Sequence, residues 1–523
     1  GLTPRIGKPG KNWQTIGQRP WDRRFELGKC PYCSAWQEIA LADGTDETAH
    51  ACPGCQKTAP LSSWEVRGCL EPAAFRTDFD VHGKNLQRPE GSTSFALSAD
   101  AKLPEHTSWH THHHQSLALS IASSPGCTVY KLNQGPDGKG FKLCWQEGVL
   151  QPPRPSGKRL EPDPEGKAQP LLAQAVDRRL MEVSGLNTIL MNPEATGLRA
   201  EDIDPVFLVA PRVTDGLYLM PKALHPALAI GQIGMDLKAE GNPEGENKDP
   251  YPTGSQYWQG TRSAAHSAIQ ILIAEATRYL DVDHNALEGV EPRPFHWDGE
   301  ERPLIQLVDS HVNGAGFCAW LGTGGSGQVP PVLDIIQQAL EGRPEAWGRE
   351  PHRSQCQDAC YSCVKTYENQ NLHGLLDWRL GLAYLRAFSD PTWACGLDGD
   401  FSWPALRDWP NLAKETSMMT LRLWGGDTDM DWIESTQANG LTLMAFRLPL
   451  KHQSKRPWVI VRHPLWRPDR SNGALADFRQ ELAAQSEGTA VLCWDTFNLM
   501  RRPGRTRQWM KCQGGQRRRR SRE

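Results

Sequence analysis

Three cysteines fall within eight residues, in Cys356-Gln357-Asp358-Ala359-Cys360-Tyr361-Ser362-Cys363, with spacing C-x3-C-x2-C. Thiolates this close in sequence can converge on one tetrahedral cation, most often zinc. The alternative is three unrelated buried thiols, a common environment for free cysteine. Four more cysteines form a second pattern. Cys30-Pro31-Tyr32-Cys33 and Cys52-Pro53-Gly54-Cys55 are separated by eighteen residues, a CxxC-x18-CxxC spacing that fits a zinc ribbon. Two knuckles of two sulfurs each make a closed four-cysteine site. Such a site is structural, because no coordination position stays open for a substrate. Zinc would supply much of the folding energy of a module this small.

Other catalytic patterns fail on their surroundings. Asp46-Glu47-Thr48-Ala49-His50 has the letters of a helicase acidic box, but Leu41-Ala42-Asp43-Gly44-Thr45 before it is not a buried apolar strand. None of the Gly-Lys pairs (at Lys8, Lys11, Lys29, Lys84, Lys139, Lys158 and Lys167) is followed by Ser or Thr, so these residues hold no P-loop. His463-Pro464-Leu465 does not match the His-x-Lys of phosphodiesterases. His110, His112, His113 and His114 cluster, and read as a solvated turn in preference to a metal site.

These residues need elements to position them. The chain has 523 residues, room for roughly three to four domains at ~100–200 residues each. Charge is nearly balanced, 58 Lys plus Arg against 61 Asp plus Glu, which excludes a uniformly basic binder but not local patches. The longest apolar segment, Ala264 to Ala276, is broken by His266, Ser267, Gln270 and Glu275, too short and too polar for a membrane span. The 14 cysteines, half of them clustered, read as metal ligands in a reducing cytoplasm. Residue 1 is Gly and no apolar leader core follows, so a piece of a longer chain is expected.

The fold class read from these patterns is mixed α/β (α+β) and multidomain. Residues 1–63 are a basic leader and the zinc ribbon, with seven Lys/Arg before Cys30. Residues 64–150 are β-rich, with Cys127–Leu132 and Gly140–Trp145 flanking a turn-forming segment as a hairpin. Residues 151–170, with six prolines, form a linker. Residues 171–390 are a larger α/β unit, with strands at Val206–Ala210, Gly216–Met220 and Pro303–Asp309. Its helices fall at Arg262–Leu280, Pro331–Leu340 and Leu375–Phe388. The first helix carries one apolar stripe: Ala265, Ile269, Leu272, Ala276 and Leu280. Gly314 and Gly316 suit a tight turn, explained by packing in preference to nucleotide binding. Residues 391–500 form a small α/β unit with strands at Trp458–Val461 and Thr489–Trp494 and a helix near Ala474–Gln485. Residues 501–523 carry ten basic residues and one acidic, an expected disordered tail that attracts polyanions.

Several separated motifs resemble one family: large bacterial DEAD/DEAH-box helicases, in the C-terminal half that carries the MrfA-like zinc-binding domain. The residues are Gly68 to Phe79 (GCLEPAAFRTDF), Val129 to Phe141 (VYKLNQGPDGKGF), Gln306 to Cys318 (QLVDSHVNGAGFC) and Cys356 to Arg379. The resemblance spans about 60–390, with His463-Pro464-Leu465-Trp466 as a weaker continuation. It implies a structural zinc on Cys356, Cys360 and Cys363. Better-known members have four clustered cysteines where this chain has three. The fourth ligand is assigned to Cys318, which ends the glycine turn, with His373 and His352 as alternatives. The resemblance further implies an accessory, nucleic-acid-engaging region of an ATP-dependent helicase, in antiphage defence or DNA repair. ATP would be used only by motor domains outside these residues, and about two zinc ions are expected per chain. DNA is favoured over RNA, contacted by Lys/Arg and by some of the 20 Trp. The competing expectation is a zinc-stabilised scaffold docking on a partner helicase or methyltransferase. No membrane partner and no catalytic residue are expected.

Overall fold

A computed structural model describes residues 21–32, 36–39, 49–52, 56–72, 94–98, 108–133, 141–144, 149–151, 203–233, 257–297, 299–324, 329–449, 456–485 and 491–515. The expected leader (1–20), the linker (151–170), Cys33, Cys55 and the last residues of the tail (516–523) lie outside them.

The N-terminal part is a sheet in which β1 (Trp21–Lys29) pairs antiparallel with β2 (Trp36–Ile39) and with β5 (Glu65–Pro72); β3 (Ala49–Ala51) and β4 (Thr58–Pro60) form a separate ribbon between them. Then come β6 (Ser94–Ser98), β7 (His110–His114), β8 (Leu117–Asn133), β9 (Phe141–Cys144) and β10 (Val149–Gln151). The spine of the sheet is β11 (Ile203–Pro221), 19 residues long. It pairs with β5 in parallel and with β8 and β9 antiparallel, so one sheet joins the regions expected as separate domains at 64–150 and 171–390.

Two strand expectations change. Val206–Ala210 and Gly216–Met220 are one strand, not two. Its apolar pattern breaks at Thr214 and Asp215 because a register shift lies between Thr214 and Gly216, where a β-bulge turns side chains off the regular alternation. The expected hairpin is not a hairpin either. β8 and β9 do not pair with each other, because each takes a stretch of β11 as its partner, Leu208–Pro221 and Ile203–Val206 respectively.

Helix α1 (Gln259–Leu280) follows, then β12 (Leu287–Gly289), β13 (Arg293–Trp297) and β14 (Glu300–Asp309), which pairs with β11 from Gly216 to Leu219. The single stripe expected for α1 understates it, since every residue from Gly260 to Ile273 is buried. A helix buried all round is an interior helix, and its large polar side chains are partnered, Arg262 and His266 by Glu291 and Gln270 by Asn369. β14 ends in Asp309, whose buried carboxylate accepts from the backbone N–H groups of Ala315 (2.7 Å), Phe317 (3.1 Å) and Cys318 (2.9 Å). This caps α2 (Phe317–Thr323) and fixes the glycine turn. Gly314 (φ +74°) and Gly316 (φ +83°) take left-handed backbone there, and a Cβ on Gly314 would sit 2.4 Å from the Asp215 carboxyl. The turn is thus a packing device.

Helices α3 (Pro331–Gly348), the single turn α4 (His352–Gln355) and α5 (Trp378–Ser389) complete the central unit. α1 and α5 approach closely because Gly381 faces Ser267; a Cβ there would lie 2.7 Å from the Ser267 Cβ. Ser267 Oγ accepts from the Asp377 N–H (2.8 Å) and Ser263 Oγ donates to the Leu375 carbonyl, so α1 fixes where α5 begins. Asp377 then caps α5 through the N–H groups of Arg379 and Leu380, a contact worth about 1 kcal/mol.

The C-terminal unit adds α6 (Trp409–Leu423), β15 (Trp432–Thr436), β16 (Thr442–Arg447), β17 (Trp458–Arg462), α7 (Ala474–Ala484), β18 (Val491–Asp495), α8 (Thr496–Arg501) and α9 (Pro503–Gly515). Its sheet runs β15-β16-β17-β18, with the last pair parallel around α7. One hydrophobic core continues from α1, α3 and α5 into β16, β17 and β18. The tail expected as disordered is helical from Pro503 to Gly515, because Thr506 and Met510 are buried and Arg507 donates to the Trp424 carbonyl (2.8 Å). Among the described residues, no helix is long and apolar enough to cross a membrane.

Candidate metal centre

Four ligand atoms from His352, Cys356, Cys360 and Cys363 lie within 4.8 Å of one another. The sulfur separations are 3.8 Å for Cys356–Cys363 and 3.6 Å for Cys360–Cys363, and His352 Nε2 lies 3.4 Å from the Cys360 sulfur. Tetrahedral zinc with Zn–S near 2.3 Å and Zn–N near 2.05 Å requires S···S of about 3.8 Å and S···N of about 3.6 Å. The observed spacings fit that geometry.

The sequence builds this cluster from short local devices. α4 is one helical turn, and its closing bond runs from the Cys356 N–H to the His352 carbonyl (2.8 Å), which brings residues four apart onto one side. Cys360-x-x-Cys363 closes a tight knuckle. The N–H groups of Cys363 and Lys365 both donate to the Cys360 carbonyl, at 3.1 and 3.0 Å, and the Cys360 N–H donates to the Cys363 sulfur at 3.1 Å. His352 Nδ1–H donates to the Trp347 carbonyl (2.8 Å), which leaves the Nε2 lone pair turned toward the thiols. The imidazole is held between Trp347, stacked at 6.2 Å, and Trp378, edge-on at 5.8 Å.

Protonation follows crowding. Burial, then the neighbouring Cys363 charge, pushes the Cys356 thiol well up, and burial pushes Cys363 up to about 11. Burial opposes ionisation of Cys360 too, but hydrogen bonds from Ser362 and from the adjoining thiols outweigh it and lower its pKa. Three sulfurs this close cannot all ionise alone. A divalent cation removes that penalty, which is why the donor set suits a metal.

The loop beyond the knuckle is braced from the core. Asn369 Nδ2 donates to Gln270 Oε1 (2.8 Å) and to the Val364 carbonyl (2.9 Å). Arg501 makes ion pairs with Asp358 (3.2 Å) and Asp377 (3.6 Å), and the Trp378 N–H donates to the Asp358 carbonyl (3.0 Å). A crevice of about 530 Å³ opens beside the cluster, between Cys356, Arg379, Trp409 and Arg501.

The cluster corrects one assignment. The residue that joins the three cysteines is His352, not Cys318. Cys318 sits in α2, its N–H bonded to Asp309 and its thiol buried beside Asp309, where burial and that carboxylate push its pKa well up. His373 is engaged elsewhere, its Nε2 at 3.0 Å from both the Thr366 carbonyl and Asn369 Oδ1. The H-x3-C spacing of His352 and Cys356, one helical turn, was the available signal.

Of the expected ribbon, Cys30 and Cys52 are described. Both are buried in one small cluster with Ile39, Ala59, Leu61 and Trp64, and the Tyr32 N–H donates to the Cys30 sulfur at 3.4 Å. Cys33 and Cys55 lie outside the described residues.

The fold and site define a mixed α/β chain with a Cys3His cluster. No family model matches the chain, and no curated protein matches it. A crystal structure of the DUF1998 helicase MrfA bound to DNA aligns over 57% of this chain, at 12% identity and a TM-score of 0.25, a likeness too low to carry an argument. The chain spans 25% of that protein's length.

Proposed function

We propose that this chain is the accessory, nucleic-acid-engaging part of an ATP-dependent helicase or translocase, with DNA favoured over RNA and the motor outside these residues. The carrying observation is that the segment with the most specific family resemblance, Cys356 to Arg379, folds around a convergent ligand set of His352, Cys356, Cys360 and Cys363. Zinc there would act as a structural staple, clamping the loop to α3 and α5, and a second zinc is assigned to Cys30, Cys33, Cys52 and Cys55. ATP is handled by the motor alone, and the setting is cytoplasmic, in antiphage defence or DNA repair.

The clamped loop presents chemistry suited to single strands. Tyr361 and Tyr367 are 68% and 72% exposed, flanking Lys365 on the same short loop. Exposed aromatic faces stack bases without sequence preference, and cations neutralise phosphates. The test is fluorescence anisotropy with labelled single-stranded DNA. The intact chain should bind in a manner that weakens steeply with salt, and the double variant Tyr361→Ala/Tyr367→Ala should weaken it about 30-fold or more, at ~1–3 kcal/mol per stacked base. Absent or salt-insensitive binding would overturn this reading.

A second reading, a scaffold docking on a partner helicase, is favoured by a different observation. Met419, Leu423 and Met430 of the C-terminal unit are more than half exposed. Exposed large apolar side chains are candidates for a protein interface. Co-purification with a motor subunit, without intrinsic DNA affinity, would select this reading.

A further inference from the structure

The histidine cluster expected as a solvated turn is an edge strand. β7 pairs with β8 in the register His110↔Ile121, His112↔Leu119 and His114↔Leu117. Directly paired residues share a face of the sheet, and Leu117, Leu119 and Ile121 all point into the core under the helices. His110, His112 and His114 therefore form a row along the rim of the helix-bearing face. His113 and Thr111 point the other way, His113 Nε2 lying 3.0 Å from Lys222 Nζ and Thr111 Oγ1 3.3 Å from Ser120 Oγ.

The row has the chemistry of a chelator. Residues two apart on a strand stand about 6.6–6.8 Å apart on one face. The rings of His110 and His112 have centroids 6.5 Å apart at 60° to each other. A cation with metal–nitrogen bonds of about 2.0–2.1 Å needs two imidazole nitrogens roughly 3 Å apart. Rotation about the two side-chain torsions brings the rings that close without moving the strand. Next along the row, His114 Nε2 lies 3.2 Å from Asp334 Oδ1, in the first turn of α3. That pair stands about 13 Å along the strand from His110 and itself links β7 to α3.

We propose that His110 and His112 form a second kind of metal site: a solvent-accessible site for a divalent transition cation such as zinc, nickel or copper(II). Its protein donors are imidazoles with no thiolate, ligands that suit these borderline cations. It holds metal less tightly than the cysteine cluster.

The test is calorimetric titration of zinc(II) alone into the intact chain, already zinc-loaded at its cysteine sites, in a non-coordinating buffer. The expected result is one further equivalent of weaker binding. His110→Ala and His112→Ala each reduce its affinity at least tenfold, while His113→Ala, on the opposite face, leaves it unchanged. His110 is exposed, so its replacement tests the site even if His112→Ala disturbs the fold. No further equivalent in the wild type, equal affinity in His110→Ala, or equal loss in His113→Ala would overturn the proposal.

Discussion

Replacing His352 by Ala removes the nitrogen that lies 3.4 Å from the Cys360 sulfur and leaves the three thiols in place. Partners one shell further out are already worth about 10–100-fold in metal affinity. Loss of a direct ligand should therefore exceed ~100-fold, which at 1.36 kcal/mol per tenfold is more than about 2.7 kcal/mol. Buffer free zinc at 100 times the wild-type dissociation constant, and zinc stabilises the wild type by about 2.7 kcal/mol. A core of this size moves roughly 2–4 °C per kcal/mol, so chelation should lower wild-type melting by about 5–11 °C. His352→Ala at the same free zinc should melt at nearly the same temperature with and without chelator. Cys318→Ala should melt lower overall, because it removes a fully buried thiol, yet keep the whole chelator-dependent shift. Scanning calorimetry of the core transition in zinc-buffered solution reads all three. A full shift in His352→Ala together with none in Cys318→Ala would refute the ligand assignment.

Two further outcomes follow from the core. His463 is buried, and burial followed by the Arg462 charge lowers its pKa from the usual 6.5 to about 3. The unfolded chain takes up a proton below pH 6.5 that the folded chain refuses. Stability is therefore lost as pH falls from 6.5 toward 3, by about 2 kcal/mol between pH 7 and 5; denaturant melts of His463→Gln should lack this component. Gly381→Ala would place a Cβ 2.7 Å from that of Ser267 and 2.9 Å from its backbone carbon. The resulting separation of α1 and α5 should cost about 1–3 kcal/mol, and an unchanged urea midpoint would contradict the close approach.

Regular buried elements were legible in the sequence. Apolar residues recurring at the helical period from Ala265 to Leu280 mark α1, and the unbroken apolar run Trp458–Val461 marks β17; what the stripe could not show is that α1 is buried on its other faces too. What failed were features decided by distant partners. The bulge at Asp215 makes one strand read as two, and β11 takes β8 and β9 away from each other despite turn formers between them. Pro503–Gly515 has the composition of a solvated tail, and only the pocket that receives Met510 makes part of it structural. The cysteine triplet was visible from spacing, but the glycine turn drew the fourth ligand to Cys318. That turn is held by Asp309 for its own reasons, while His352 lies one helical turn before Cys356.

The central claim, a zinc held by His352, Cys356, Cys360 and Cys363, is tested most directly by counting metal. Zinc per chain should be measured by mass spectrometry of elements on the wild type and on Cys360→Ser/Cys363→Ser, after dialysis against a mild chelator. The account predicts one equivalent fewer in the variant. A folded variant retaining the wild-type zinc content would contradict it.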